Sequence, residues 1–590
     1  MGGGRRWETG VQGKWLGAGL LIAACLGVQA QAVERPSNGL IVKLKDLPAR
    51  ERALGVSSTR VRDEEDAVRL QRVLSGAGLT LPATRAVGRS ARHLDFGRAL
   101  SRDEAERAAA KLRADPQVEW VVANERERRL QVAEPNDSYF ASQWWLQNPG
   151  GSNASPLAAR LRGVAGFQNA WGAETGLPGA VVAVLDTGIT DHPDLVGHVL
   201  PGYDFVSTVE YANDGDGRDP DPSDPGDWVT RAEIDRASGL FAHCSEEPSS
   251  WHGTEIAGMV AAVTNNASGI AATSWNGRVL PVRVAGKCGA DLLDIIDGMR
   301  WAAGLAVARS GGGFLPINPN PARVVSISFG SSANCNAAYQ ATIDELAALG
   351  VVVVAAAGNQ HGAPTRPANC RGVVGVVALN RDGFKATYSS FGPTLGIATV
   401  GGDPGNEGAW GPALGDDGLI TLDNSGLQAP AGATYARVFG SSFSAPVVAG
   451  AIGLMLSANP GLTHAQIFEG LRLSARPHVT SPSIGACSAA NPGRCVCTTS
   501  TCGAGILDAP EAVRYAQALL AGEVFTPKRW PTEVIDNAEV DAAVALGPDL
   551  PQDSPVVVAS GGGGALGLTW LLALALATVC LFWVERRQRR

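Results

Sequence analysis

Four polar residues lie where apolar or small-residue runs begin or end, at positions suited to chemistry. They are Asp186 in Val184-Leu-Asp-Thr-Gly188, His252 in Ser250-Trp-His-Gly-Thr254, Asn359 at the end of Val351-Val-Val-Val-Ala-Ala-Ala-Gly-Asn359, and Ser442 in Gly440-Ser-Ser-Phe-Ser-Ala-Pro446. A hydroxyl, an imidazole and a carboxylate can serve as nucleophile, proton acceptor and orienting group, and a side-chain amide can stabilise an oxyanion. The four segments together predict a hydrolytic site.

Each residue alone also has a purely structural interpretation. Asp186 and Asn359 can be turn residues at strand ends, Ser442 can be an N-cap, and His252 can be a buried structural histidine. The elements around the four residues must therefore be considered.

Short β-branched runs alternate with helical stretches through the middle of the chain. The runs are Val181–Leu185, Val279–Val284, Val324–Ser328, Val351–Ala357 and Val373–Ala378, with helices predicted over Leu292–Ala308 and Tyr339–Leu349. This alternation predicts an α/β fold with a doubly wound, mostly parallel sheet and helices on both faces. Asp186 then lies at the carboxyl edge of the sheet, where sites form in open α/β folds.

The N-terminal 130 residues predict two separate segments. Residues 1–32 read as a signal peptide, with basic residues, an apolar run and Ala30-Gln-Ala32 at the cleavage site; lipidation of Cys25 is the alternative. Residues 33–130 read as a small α+β domain with strands over Leu40–Lys45, His93–Leu100 and Val118–Ala123 and helices over Asp63–Leu74 and from the capping box Ser101–Glu104 to Arg113. The exposed stretch Glu125–Arg129 ends this domain.

The charge is divided between the predicted domains. Residues 33–130 carry 20 Lys and Arg against 15 Asp and Glu, whereas residues 131–564 carry 22 against 40. The acidic main body argues against a nucleic-acid partner, because phosphate is repelled.

The cysteines indicate an oxidising compartment. Eight of the ten lie outside the apolar ends of the chain, which favours four disulfides in an exported protein. Their order suggests the pairs Cys244–Cys288 and Cys335–Cys370. A zinc site at Cys495, Cys497 and Cys502 is the alternative.

The C-terminal region predicts a membrane segment. A large domain over 131–520 is followed by a polar linker over 521–564 that ends in four glycines, an uncharged span over 565–584 long enough to cross a bilayer, and a basic tail over 585–590. A buried C-terminal helix is the alternative.

The four motifs, in this order, resemble the subtilisin-like serine peptidases, the subtilases, over about residues 135–515. The resemblance implies Ser442 as nucleophile, His252 as general base and then acid, Asp186 as its orienting partner, and Asn359 with the Ser442 amide as oxyanion donors. It also implies that Ser328-Phe329-Gly330 pairs with substrate backbone as an added strand. Three positions depart from the family: Ser441 and Phe443 replace Thr and Met, and Glu255 replaces a second His.

The resemblance implies a maturation route as well. Residues 33–130 are similar to inhibitory propeptides removed by self-cleavage, with the junction between Arg129 and Glu134. The glycines, span and arginines at the C-terminus resemble a sorting signal cut by a rhomboid-like protease, with a permanent anchor as the alternative. The expected protein is a secreted endopeptidase made as a zymogen; an inactive binding protein and a narrow processing protease are the alternatives.

Calcium is the expected cofactor. A Gly-rich acidic loop that continues to Asp224 and Asp227 offers hard oxygen ligands, with Asp214, Asp216, Asp219 and Asp221 as the candidates. A solvated acidic loop without an ion is the alternative. Asp194 and Asn265 match a second calcium site of the family. The other expected partners are protein substrates, the chain's own propeptide and, at least transiently, a membrane.

Overall fold

The computed structural model describes residues 37–45, 59–79, 83–87, 91–98, 100–124, 134–150, 161–236, 239–309, 311–405 and 410–547. The predicted signal peptide, the Glu125–Arg129 stretch, the C-terminal span and the basic tail lie outside these residues. The chain divides into two compact units, Met1–Leu130 and Gln131–Arg590.

The first unit is an antiparallel sheet with two helices. Its elements are β1 Leu40–Leu44, α1 Thr59–Gly76, β2 Ala83–Val87, β3 Ala91–Asp95, α2 Arg102–Arg113 and β4 Val118–Ala123. The sheet order is β2-β3-β1-β4. Apolar residues of β1, β3 and β4 and of both helices form one core. The capping box predicted at Ser101 and Glu104 is present and starts α2.

One strand of the first unit has no clear sequence signal. β2 reads Ala-Thr-Arg-Ala-Val and is exposed along most of its length. It forms by pairing with β3 at the edge of the sheet, so tertiary pairing rather than an apolar pattern defines it.

The second unit contains the predicted sheet and two smaller ones. Its strands are β5 Val181–Asp186, β6 Tyr203–Asp204, β7 Arg278–Arg283, β8 Ala285–Gly286, β9 Gly289–Ala290, β10 Val324–Ile327, β11 Val352–Ala356, β12 Val373–Leu379, β13 Ile397–Val400, β14 Leu419–Asn424 and β15 Ala433–Val438. The large sheet is parallel, in the order β13-β12-β11-β10-β5-β7-β6. The hairpins β14-β15 and β8-β9 are antiparallel.

Helices of the second unit pack on both faces of this sheet. They are α3 Phe167–Ala170, α4 Val209–Ala212, α5 Arg231–Ile234, α6 His252–Ala261, α7 Leu292–Ala302, α8 Ala337–Ala348, α9 Gly411–Leu414, α10 Ser441–Ala458, α11 His464–Ser474, α12 Ala509–Leu520 and α13 Ala538–Ala545. Short 3-10 helices cover Phe140–Ser142, Trp144–Leu146 and Pro193–Leu195. The predicted α/β architecture is confirmed.

Alternate side chains of the central strand β5 pack into two separate hydrophobic cores. Val182 and Val184 pack with residues of α6 and α10, whereas Ala183 and Leu185 pack with residues of α7 and α8. A strand that is buried on both faces reads as a continuous apolar run, which is why β5 was recognisable from the sequence.

Helix α10 runs through the middle of the first of these cores. It is apolar enough to cross a membrane by length and composition, but 94% of it is buried inside the folded unit. It is therefore a core helix, and it carries Ser442 in its first turn.

Several predicted boundaries differ from the structure. The helix predicted over Asp63–Leu74 is α1, Thr59–Gly76, and the strand predicted over His93–Leu100 is β3, Ala91–Asp95. Helix α7 ends at Ala302 rather than Ala308, because Gly304 takes a left-handed conformation with φ +83°. The beginning of the predicted linker packs on the unit, where Ile535, Val540 and Ala543 are buried.

Four disulfides stabilise the second unit. They are Cys244–Cys288, Cys335–Cys370, Cys487–Cys495 and Cys497–Cys502. The first two pairs are those suggested by cysteine order. Cys495, Cys497 and Cys502 all lie in disulfides, so the zinc alternative is wrong: these sulfurs cannot act as thiolate ligands.

Candidate active site

Asp186 and His252 meet at the carboxyl edge of the large sheet. Asp186 is the last residue of β5, and His252 is the first residue of α6. Asp186 Oδ1 accepts a hydrogen bond from His252 Nδ1 at 2.7 Å. The same oxygen accepts from the backbone N–H of Thr187 at 2.8 Å. The Nδ1 proton is thereby held by Asp186, which leaves Nε2 as the basic nitrogen.

A second carboxylate fixes the start of α6. Asp224 is buried and accepts a hydrogen bond from the Thr187 hydroxyl at 2.7 Å. That hydroxyl accepts in turn from the backbone N–H of Gly253 at 3.0 Å. Burial and the neighbouring Asp227 raise the pKa of Asp224. The sequence analysis assigned Asp224 to the acidic calcium loop and missed its contact with Thr187, because no apolar pattern surrounds it.

A third carboxylate supports His252 from the other side. Asp227 accepts from the backbone N–H and the hydroxyl of Ser250, both at 2.7 Å. The Ser250 oxygen accepts from the backbone N–H of His252 at 3.4 Å. Asp227 thus positions the backbone of His252 through Ser250, two residues earlier in the same motif.

The charges around His252 change its basicity. Burial lowers its pKa, but the charge of Asp186 and its hydrogen bond outweigh burial, and Glu255 and Asp227 act in the same direction. The result is a pKa of about 9. Asp186 therefore stabilises the protonated form of the His252 ring.

Glu255, where the family has a second histidine, lies one turn along α6 from His252. It is 3% exposed. Burial raises its pKa well above the ordinary value, His252 opposes this rise, and Asp423, Asp186 and Asp227 add to it. Burial therefore disfavours the ionised form of Glu255, whereas the charge of protonated His252 favours it.

Ser442 lies in the same cleft, on the first turn of α10. Its Oγ donates to the Ser328 carbonyl at 2.7 Å, and Ser328 Oγ donates to the Ser442 carbonyl at 2.8 Å. Among the described contacts there is no hydrogen bond between Ser442 Oγ and His252. Free enzymes commonly hold this pair loosely and tighten it when substrate binds.

Asn359 is oriented by the residue before Ser442. Its Oδ1 accepts from the backbone N–H of Ser441 at 3.0 Å and from the Ser441 hydroxyl at 2.8 Å. Ser441 Oγ also accepts from the Gly358 N–H at 3.1 Å. Because Oδ1 accepts both hydrogen bonds from Ser441, the orientation of the amide is fixed and its Nδ2 group remains available as a donor. Ser441 therefore acts through its hydroxyl, and the sequence analysis missed this role.

One cleft of about 450 Å³ joins these groups. Asp186, His252, Ser442 and the segment from Ser328 to Ser331 all line it. Asn359 is hydrogen-bonded to Ser441, the residue next to Ser442 in the cleft. The structure therefore brings the predicted hydrolytic residues together.

Comparison with known proteins decides the family. The sequence model of the Subtilase family matches residues 178–491, more than half of the chain. The chain belongs to the subtilase family. As a subtilase it is a serine endopeptidase, and it acts on protein substrates.

Several related subtilases cover much of the chain. The Extracellular protease of Xanthomonas campestris pv. campestris is 36% identical over 513 residues, which are 85% of this chain and 78% of that protein. The Extracellular basic protease of Dichelobacter nodosus is 38% identical over 351 residues, 58% of this chain and 51% of that protein. The solved structure of a protease from Pseudoalteromonas arctica is 39% identical, with a TM-score of 0.54, and the match covers 65% of this chain and all of that one.

The residues predicted to bind calcium fall into two groups. Asp194 accepts from Asn266 Nδ2 at 3.0 Å and from the Ile270 N–H at 2.8 Å. Asp137, which the sequence analysis did not identify, accepts from the Asn265 N–H at 2.7 Å. Burial raises the pKa of both carboxyls, and the charge of Asp194 raises that of Asp137. Two buried carboxylates and nearby Asn oxygens suit a hard cation.

The acidic loop is arranged differently. Asp214 Oδ2 accepts from the buried Arg283 at 2.7 Å, so an arginine already neutralises this carboxylate. Asp219 and Asp221 accept backbone N–H groups two residues ahead of them. Burial raises the pKa of Asp219, and the charges of Asp216, Asp221 and Asp214 raise it further. Among the described residues, Asp216, Asp219 and Asp221 do not bring three carboxylate oxygens within 4.8 Å of one another, and Asp214 is already paired with Arg283.

Proposed function

We propose that this subtilase is made as the precursor of an extracellular endopeptidase whose catalytic triad is Asp186, His252 and Ser442. The observation that carries the proposal is the 2.7 Å hydrogen bond from His252 to Asp186 in the cleft that Ser442 also lines. The extracellular location is supported by the names of the two relatives above and by the export signal ending at Ala32.

The proposed reaction proceeds through an acyl-enzyme. Ser442 Oγ forms a bond to the scissile carbonyl carbon while its proton passes to His252 Nε2. His252 gives this proton to the leaving nitrogen as the C–N bond breaks. Water then attacks the ester with His252 as base, and Ser442 recovers its proton. Asp186 accepts the hydrogen bond from His252 Nδ1–H throughout and so keeps the ring in this orientation.

Asn359 Nδ2 and the backbone N–H of Ser442 are the proposed oxyanion donors. The two contacts from Ser441 to Asn359 Oδ1 hold the amide in the orientation that this role requires. Loss of one such donor lowers kcat by about 10²- to 10³-fold in related chemistry.

Substrate backbone pairs with Ser328-Phe329-Gly330 in this proposal. Within the described part of the chain, the backbone groups of Phe329 and Gly330 have no hydrogen-bond partner. An open edge of this kind accepts an extended peptide as an added strand.

Residues 33–130 are the proposed inhibitory propeptide. This segment ends where the first compact unit ends, and it has a hydrophobic core of its own. Its net charge of +5 complements the net charge of −18 over residues 131–564. Self-cleavage would fall between Arg129 and Glu134. The C-terminal glycines and span would direct sorting and release of the enzyme.

Calcium is the proposed stabilising ion. Asp137, Asp194 and Asn265 would hold one ion, and Asp216, Asp219 and Asp221 would contribute to a second. The ion would neutralise carboxylates that burial alone disfavours in the charged form.

Mass spectrometry of the exported protein tests the maturation route and the triad together. The wild type and Ser442→Ala are expressed in a Gram-negative host with the whole chain. The expected wild-type product begins near Val132 and lacks residues 565–584, whereas Ser442→Ala retains residues 33–130. Ser444→Ala, two residues along α10 with its hydroxyl bonded to the Val400 carbonyl, is the matched control and should mature normally.

The opposite results are equally informative. A Ser442→Ala product that begins near Val132 would rule out self-processing. Wild-type protein that keeps both residues 33–130 and the span, and that hydrolyses no peptide, would contradict the proposed triad.

A further inference from the structure

A positive charge without a partner lies at one end of the substrate cleft. Arg366 lines the cleft together with Phe329, Ser331 and Tyr339. Among the described residues, the Arg366 guanidinium forms no ion pair and no side-chain hydrogen bond. The Tyr339 hydroxyl likewise has no partner there, although the residue is only 2% exposed. Both side chains line the cleft, so a bound substrate can supply the missing partner.

The two side chains are suited to the same ligand. Burial raises the pKa of Tyr339 to about 12, and the nearby charge of Arg366 opposes this rise. The phenol therefore stays protonated and can donate. The guanidinium offers several donors and a positive charge, and the phenol O–H can add one more donor, which together match a carboxylate.

The backbone beneath Arg366 is firmly held. Arg366 N–H donates to the Ser331 carbonyl at 3.0 Å, and Ser331 N–H donates to the Arg366 carbonyl at 3.2 Å. The Cys335–Cys370 disulfide joins the segments that follow each of them. Gly330 approaches so closely that a Cβ there would lie 2.2 Å from the Arg366 oxygen. Arg366 therefore has a fixed position relative to Ser328 and Ser442.

The spacing indicates which part of a substrate meets Arg366. Ser442 contacts Ser328, and Ser331 lies three residues further along the same segment, or about 10 Å at the rise of an extended chain. The amine half of the substrate must leave past His252, which protonates it. The acyl half therefore pairs with Ser328–Gly330, and its third or fourth residue from the scissile bond reaches Arg366.

Acidic side chains near His252 support the placement of a substrate carboxylate at Arg366. Asp227 and Glu247 line the cleft with His252, and each carboxyl has a pKa raised first by burial, with Asp227 adding to the rise at Glu247. A carboxylate of the substrate near His252 would face these groups and be repelled. The far end, with Arg366 and Tyr339, is the part of the cleft that can accept it.

We propose that Arg366 and Tyr339 form a carboxylate-binding subsite that selects substrates with Asp or Glu three or four residues before the scissile bond. This proposal rests on the proposed function of the cleft. Arg366 and Tyr339 take no part in bond breaking and act on specificity alone.

Paired quenched peptides test the subsite in the exported wild-type enzyme. One Glu is moved through the first five positions before the scissile bond, and each peptide is compared with its Gln counterpart. The expected ratio of kcat/KM, Glu over Gln, is about 10 at the third or fourth position, as one charge-assisted hydrogen-bonded pair supplies. Arg366→Gln should reduce this ratio to about 1, and Tyr339→Phe should reduce it by about half.

The Gln peptides control for folding. Each Glu over Gln ratio is taken within one enzyme, so that a general loss of activity in Arg366→Gln cancels, and salt should lower the Glu preference of the wild type because the attraction is screened. A Glu preference that Arg366→Gln leaves unchanged, or no Glu preference at any position, would overturn the subsite. Absence of all peptide hydrolysis in the wild type would overturn the proposed triad instead, and with it this assignment.

Discussion

In the proposed mechanism, the pH dependence of the enzyme is set by His252. Only its neutral form can accept the Ser442 proton, and its pKa of about 9 means that the protonated form predominates at neutral pH. We expect kcat/KM to rise from pH 7 with a midpoint near 9. The pH profile of kcat/KM measures this directly, because it reports groups of the free enzyme.

A substitution at Asp227 tests whether nearby negative charges raise the His252 pKa. Asp227→Asn removes one of the charges that raise the His252 pKa, while its Oδ1 can still accept from Ser250. The midpoint should move to lower pH. Asp221→Asn, in the exposed acidic loop, removes the same charge away from His252 and should leave the midpoint in place. Equal midpoints for Asp227→Asn and the wild type would contradict this account.

Helix packing explains why small residues recur beside the reactive ones. Gly450 of α10 lies against Thr273, and a Cβ at Gly450 would be 2.0 Å from Thr273 Oγ1. That hydroxyl donates to the Met259 and Val260 carbonyls of α6. The close approach brings together the two helices that begin with His252 and Ser441.

Gly450→Ala should therefore destabilise the protein despite the better helix propensity of alanine. We expect a loss of about 1–3 kcal/mol in the free energy of unfolding, as for other overpacked cores. Gly453→Ala in the same helix is the control, because its nearest contact would be an ordinary 3.8 Å to Val182; it should be neutral or stabilising by up to about 1 kcal/mol. Urea unfolding in the Ser442→Ala background, which avoids self-digestion, measures both. Equal effects of the two substitutions would rule out the packing argument.

The fold of the second unit could be predicted from the sequence wherever buried strands produce an apolar pattern. The strands β5, β10, β11 and β12 are buried along their whole length and so appear as apolar runs in the sequence. The first three of these runs lead to Asp186, Ser328 and Asn359. Residues in irregular loops gave no such signal. Asp224, Asp227 and Asp137 act through hydrogen bonds between segments far apart in the chain, and single-sequence patterns do not encode those contacts.

The same limit applies to the acidic loop. Its composition suggested four calcium ligands. Arg283, from a strand distant in the sequence, donates a hydrogen bond to Asp214 and so makes this carboxylate less available to an ion. Arg283 and its other partner Asp204 are almost completely buried, which the charged letters of a loop cannot indicate. Residue type therefore could not indicate which carboxylates of the loop an arginine already neutralises.

Calcium binding should matter for the whole second unit, because residues 131–564 carry a net charge of −18 and hold Asp137 and Asp194 together in a buried position. An ion bound only to the folded state raises the free energy of unfolding by about 2.7 kcal/mol when its free concentration is 100 times Kd. We expect EDTA to lower Tm of the Ser442→Ala protein and added calcium to restore it. Asp194→Asn should remove most of this calcium-dependent increment, whereas Asp214→Asn, at the carboxylate paired with Arg283, should retain most of it. A Tm that calcium and EDTA leave unchanged would mean that the buried carboxylates are held by their hydrogen bonds alone, with the raised pKa values of Asp137 and Asp194 marking the cost of their burial.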